Sequence, residues 1–77
     1  MGTKFDKRTK VALAQLGERI RKAREIRGVA QAVLAKKIRM EATNLAKIER
    51  GARNVTVDSL VRIADGLGIT FWDLLKP

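Results

Sequence analysis

The segment from Gln31 to Gly51, QAVLAKKIRMEATNLAKIERG, constrains the fold more than any other part of this chain. It reads as two short helices joined by a tight bend, one from about Gln31 to Ile38 and one from about Ala42 to Arg50. Leu34, Ala35 and Ile38 share a face of the first. Leu45 and Ile48, three residues apart, share a face of the second. Met40 sits where the bend must be pinned to a core, and Gly51 closes the second helix. Packing this tight leaves one helix standing proud of the body, in the form that enters a groove of DNA.

The rest of the chain supplies helices to pack against. From about Thr9 to Arg27, Leu13, Leu16, Ile20 and Ala23 recur at spacings of three and four and make one apolar stripe. Arg19, Arg21, Lys22 and Arg27 flank it, and Gly28 ends the helix with a left-handed cap. After the loop ARNV, Thr56 is placed to cap a fourth helix, VDSLVRIADGL, with Asp58 near its positive end. Leu60, Ile63, Ala64 and Leu67 face inward there, and Gly68 stops it. Thr70 and Asp73 have the spacing of a capping box for a last helix, FWDLL. No stretch alternates like a strand, and there is no repeat or second domain. The reading is an all-α, compact five-helix bundle over residues 11–77. Residues 1–10, MGTKFDKRTK, carry four basic groups and one acid without apolar periodicity. They read as a flexible basic arm, the alternative being a frayed first turn of the next helix.

With 77 residues the chain can bury only one small core. It has no cysteine, so neither disulfides nor thiolate metal sites are available, which fits a cytosolic protein. It has no histidine, which removes the commonest general base and metal ligand. The six glycines are dispersed and form no phosphate-cradling loop. No enzyme activity, metal or cofactor is therefore expected. No apolar run approaches the roughly 18 residues of a membrane span.

The net charge of +9 is unevenly placed. Residues 1–40 hold 12 basic and 3 acidic side chains, whereas residues 41–77 hold 5 of each. A polyanion is the natural partner of such a surface, because each neutralised phosphate releases a counterion. An anionic membrane is the rival partner. However, the apolar stripe that a membrane would need is required for the core, so no membrane role is expected.

A helix that reads a groove needs short or polar side chains near its start and apolar ones behind. Ala42, Thr43, Asn44 and Lys47 lie off the Leu45/Ile48 face and fill that role. Lys47 suits guanine, Asn44 suits adenine or phosphate, and the methyl groups of Ala42 and Thr43 suit thymine. The same residues also describe an ordinary solvated helix face. Gln31, at the start of its helix, suits a phosphate or simple capping. Arg50 and Arg53 flank Gly51 and could straddle a phosphate, with Asn54 as a further donor; Arg53 and Asn54 could instead only shape the loop. Arg24 and Glu49 are expected to pair and orient the reading helix, an architectural role. Phe71, Trp72 and Leu75 cannot all be buried in so small a core, which makes the last helix a candidate dimer surface. Alternatively, Trp72 packs over the domain edge.

From about Leu16 to Leu75 the sequence resembles the lambda repressor/Cro-type helix-turn-helix regulators. The resemblance is carried by LGERIRKAR, Gln31 followed by Leu34-Ala35, the ending IERG, SLVRIADGLGI and the terminal DLL. It implies a lambda repressor-like DNA-binding domain whose third helix docks in the major groove of double-stranded DNA, as a two-fold homodimer on a palindromic operator. It places Gln31 and Arg50 on phosphates, Ala42, Thr43 and Lys47 near bases, and Asn44 beside backbone or base. It also implies that Arg24 and Glu49 pair. The run ERGARNVT looks most like the small controller proteins of restriction–modification systems. The implied location is cytoplasmic, on the nucleoid of a bacterial or phage-type system.

Three residues depart from the family pattern. Arg39 stands where the bend usually has glycine, at about 1 kcal/mol for a left-handed non-glycine residue. Ala30 replaces the usual Ser or Thr cap, a loss of roughly 0.5–2 kcal/mol. Glu41 stands where a capping Ser or Thr begins the reading helix; its charge repels phosphate unless it accepts from cytosine N4. The alternative function is an antitoxin-like or other protein-interaction module with DNA binding secondary.

Overall fold

The computed structural model describes residues 6–76. Five helices follow in order: α1 (Lys7–Ile26), α2 (Gln31–Lys37), α3 (Ala42–Glu49), α4 (Val57–Leu67) and α5 (Phe71–Leu75). No strand occurs among the described residues. Each helix sends one large side chain to a common centre: Ile20, Leu34, Leu45, Ile63 and Leu74 are all at most 1% exposed. Leu16, Ala23, Met40 and Phe71 pack at its edge. The expected five-helix, all-α bundle is thus the observed one.

The expected arm needs correction where it is described. Asp6 caps α1 by accepting the backbone N–H of Thr9 at 2.8 Å, so Lys7 to Lys10 are helical. A carboxylate at the cap satisfies a free donor and offsets the basic side chains that follow it. Residues 1–5 of that arm lie outside the described residues.

Four of the five helices end in the same way. After α1, α2, α3 and α4, the N–H of a left-handed residue and the N–H of the residue after it bond back to carbonyls of the last turn. The left-handed residues are Gly28, Arg39, Gly51 and Gly68. The residues after three of them, Val29, Met40 and Ile69, turn into the core, so each stop also fixes the next segment. Arg39, with φ of 57°, is the one non-glycine among them. Its turn is braced from α4: Arg62 donates to the carbonyls of Ile38 and, at 2.9 Å, of Arg39. That brace satisfies carbonyls the end of α2 leaves open, and it favours a bend that the arginine backbone disfavours.

Candidate nucleic-acid interface

α3 is fastened along its inner face and at its last turn. Leu45 and Ile48 are buried, whereas Ala42, Thr43 and Lys47 are exposed and Asn44 is half-buried. At the far end, small residues of α1 let the two backbones touch. A Cβ on Gly17 would lie 2.5 Å from the carbonyl oxygens of both Ile48 and Glu49. One turn earlier, a Cβ on Gly51 would lie 2.7 Å from Cα of Ala14, and the positive φ of Gly51 independently disfavours other residues.

The expected pair of Arg24 and Glu49 is present and two-pronged. Arg24 Nε donates to Glu49 Oε2 at 2.8 Å and Arg24 Nη2 to Glu49 Oε1 at 3.0 Å. The side chains are 12% and 3% exposed, so the pair is sheltered from water. Arg24 also donates to the Val29 carbonyl at 2.9 Å, which ties the α1–α2 corner to the same node. The Glu49 hydrogen bond raises the pKa of Arg24 against the opposing effect of burial.

Gln31 joins this node: its Nε2 donates to Glu49 Oε1 at 2.9 Å. The amide has a second N–H. The pair, Gln31 and Arg50 line one recess with Arg21 and Ala46. Arg50, the C-cap of α3, is exposed. Beyond it, Arg53 Nη1 donates to Asn44 Oδ1 at 2.6 Å, and Asn54 Oδ1 accepts from the Val55 N–H at 3.0 Å. These bonds tie Arg53 to α3 and Asn54 to its own loop. Neither Ala30 nor Glu41 makes a side-chain cap, in line with the departures noted in the sequence.

Charge on α1 is partly cancelled within the helix. Arg21 pairs with Glu18 and with Glu25 at 2.9 Å. These contacts hold Glu18 below its ordinary pKa, chiefly through the Arg21 hydrogen bond. Lys7, Lys10, Lys36, Lys37, Lys47, Arg50 and Arg53 remain as exposed cations on several elements. Among the described residues no group of three or more acidic side chains could hold a metal, and no helix is long and apolar enough to cross a membrane.

α5 divides the three expected surface residues. Phe71 is partly buried and packs on the core, whereas Trp72 is 67% exposed and Leu75 40%. The two rings meet edge to face at 4.8 Å. Arg19 donates to the Leu75 carbonyl at 2.8 Å and holds the end of α5 on α1.

At and around the site, sequence reading missed Gly17, the Arg62 brace, the bond from Gln31 to Glu49 and the link from Arg53 to Asn44. Only Gly17 carries a local signal, because a glycine inside a helix costs about 1 kcal/mol against alanine and calls for a packing reason.

A family model described as a helix-turn-helix domain matches residues 15–71. The chain belongs to that family, in agreement with the lambda repressor/Cro-type resemblance of its sequence. It is similar to the restriction–modification controller protein C.AhdI from Aeromonas hydrophila, 30% identical with a TM-score of 0.81 over 83% of this chain and 97% of that one. A variant of the controller protein C.Esp1396I is 36% identical, with a TM-score of 0.74 over 82% of this chain and 88% of that one. The clp gene regulator ClgR from Corynebacterium glutamicum is 31% identical, with a TM-score of 0.78 over 80% of each chain in one of its structures. No curated protein matches the chain by sequence.

Proposed function

We propose that the protein is a sequence-specific, double-stranded DNA-binding transcriptional regulator that inserts α3 into the major groove. The observation that carries this reading is the asymmetry of α3. Its inner face and last turn are locked to α1 and α2, while Ala42, Thr43 and Lys47 stand exposed on a short helix. A rigid mount with polar and small outward side chains meets the requirement for reading base edges. Likeness to two controller proteins and a gene regulator supports the same conclusion. In this reading Lys47, Thr43, Ala42 and Asn44 approach bases, while Gln31, Arg50, Arg53 and Asn54 approach the backbone.

The protein acts as a homodimer in this proposal, with Trp72 and Leu75 at the dimer surface and Phe71 supporting them from behind. Two half-sites then lie about one helical turn apart, roughly 34–36 Å. A bacterial or phage-type nucleoid is its place of action, and no catalytic step is assigned to it.

The test is enrichment of bound duplexes from a random DNA pool at physiological salt, with sedimentation of the free protein alongside. A recovered palindrome and a dimer in solution support the proposal. Salt-sensitive binding without enrichment reduces it to a basic domain that grips backbone, and points to a protein as the specific partner.

A further inference from the structure

After α3 the chain doubles back on itself. The left-handed Gly51 and the bond from the Ala52 N–H to the Lys47 carbonyl, 2.9 Å, return the loop along the helix. Arg53 thereby reaches back nine residues to Asn44, in the first turn of α3, and donates to Oδ1 at 2.6 Å.

A guanidinium has donors and no acceptor, so only the oxygen of the amide can meet it. The bond is also charge-assisted, the stronger kind. The contact thus fixes which way the amide points and occupies one of the two lone pairs of Oδ1, so the NH2 group is its more available end. A free asparagine can offer either edge, and offers both when it pairs with adenine.

We propose that Arg53 is a positioning residue for Asn44, holding its amide so that Asn44 reads hydrogen-bond acceptors in preference to donors. This rests on the reading that α3 enters the major groove. Guanine N7 and O6, adenine N7 and thymine O4 are acceptors there, whereas cytosine offers only its N4 amino donor. Asn44 therefore discriminates against cytosine at the base it faces. Arg53 shapes that preference without touching the base.

The experiment compares the intact protein with Arg53→Ala, Arg53→Lys, Asn44→Ala and the double alanine variant. Duplexes selected by the wild type are varied through all four base pairs at each half-site position. Asn44→Ala identifies the position that Asn44 reads. There, Arg53→Ala should shrink the discrimination against cytosine by roughly tenfold. Arg53→Lys, which keeps the charge but loses the planar fork, should shrink it as well. In the Asn44→Ala background, Arg53→Ala should leave the base preference unchanged. Arg53 is exposed and Asn44 half-buried, so melting temperatures should stay near wild type in all variants. Equal weakening on all four base pairs, with the discrimination against cytosine intact, would leave Arg53 as a phosphate contact only and overturn the proposal. So would an Asn44→Ala variant with every preference intact. A wild type that selects no sequence fails at the parent reading, and that failure is visible before any variant is made.

Discussion

The α-carbon of Gly17 faces the carbonyl oxygen of Glu49 so closely that one added methyl group would lie 2.5 Å from it. The neighbours are backbone atoms, which cannot swing aside as a side chain does. Gly17→Ala should destabilise the domain by about 1–3 kcal/mol through overpacking, even though alanine is the better helix former. On a chain of this size that is a fall of roughly 4–8 °C in melting temperature per kcal/mol. Calorimetry checks it; an unchanged melting temperature would mean that α1 and α3 separate without loss.

Glu49 receives three hydrogen bonds from two side chains, so its removal strands several donors at once. Glu49→Ala should cost roughly 3–5 kcal/mol, because Arg24 remains sheltered with its charge unpaired. Denaturant unfolding measures this directly. Arg24→Lys should fail to restore stability, since an ammonium cannot make the two-pronged contact.

Arg39→Gly should stabilise the turn by about 1 kcal/mol, the left-handed strain of a non-glycine residue. Arg62→Ala should destabilise by about 1–3 kcal/mol, as two carbonyls lose their donor. The two sites share one turn, so their effects should not add. A double-variant cycle reads the coupling, and strict additivity would dissolve the link between brace and bend.

Acid should loosen the N-terminal caps of α1 and α5. The Thr70 backbone N–H holds the Asp73 carboxyl below the ordinary aspartate value, and the Thr9 backbone N–H does the same for Asp6. A pKa lowered by folding gives stability that is complete above the unfolded value of about 3.9 and is lost as pH falls through the folded one. Carboxyl chemical shifts should therefore titrate below free aspartate, with α5 fraying in step with Asp73. Asp73→Asn should remove that step from α5 and leave the one at Asp6.

Lys47→Ala should weaken binding and relax preference at one operator position, by about 1–3 kcal/mol if the ammonium reads a base. Affinity measured on duplexes varied at single positions separates the cases. A loss shared equally by every duplex makes Lys47 a phosphate contact.

The parts of the fold legible in the sequence are those whose causes are local. Thr56, and Thr70 with Asp73, mark the starts of α4 and α5 because a cap acts within one turn, and both starts fall where the spacing puts them. Asp6 carries the same kind of signal, but the surrounding lysines and arginine obscure it, and the start of α1 is read too late. Arg24 and Glu49 are 25 residues apart, yet each sits beside an apolar stripe whose direction is known, which makes their meeting foreseeable. Arg62 and Arg53 have no such guide. Each finds its partner across a loop, and an exposed arginine looks the same in sequence whether it braces a turn, orients an amide or points into water. The division of α5 likewise depends on which ring the finished core accepts.

The fastening of α3 along its inner face and last turn has a consequence for how such a domain changes over time. Positions 42, 43 and 47 are exposed, while residues 45, 48 and 49 are buried and Gly51 lies against the backbone of α1. Exposed substitutions of this kind usually stay within about 0.5 kcal/mol. A descendant can therefore acquire a different target by exchanging a few outward side chains, and the scaffold tolerates the experiment.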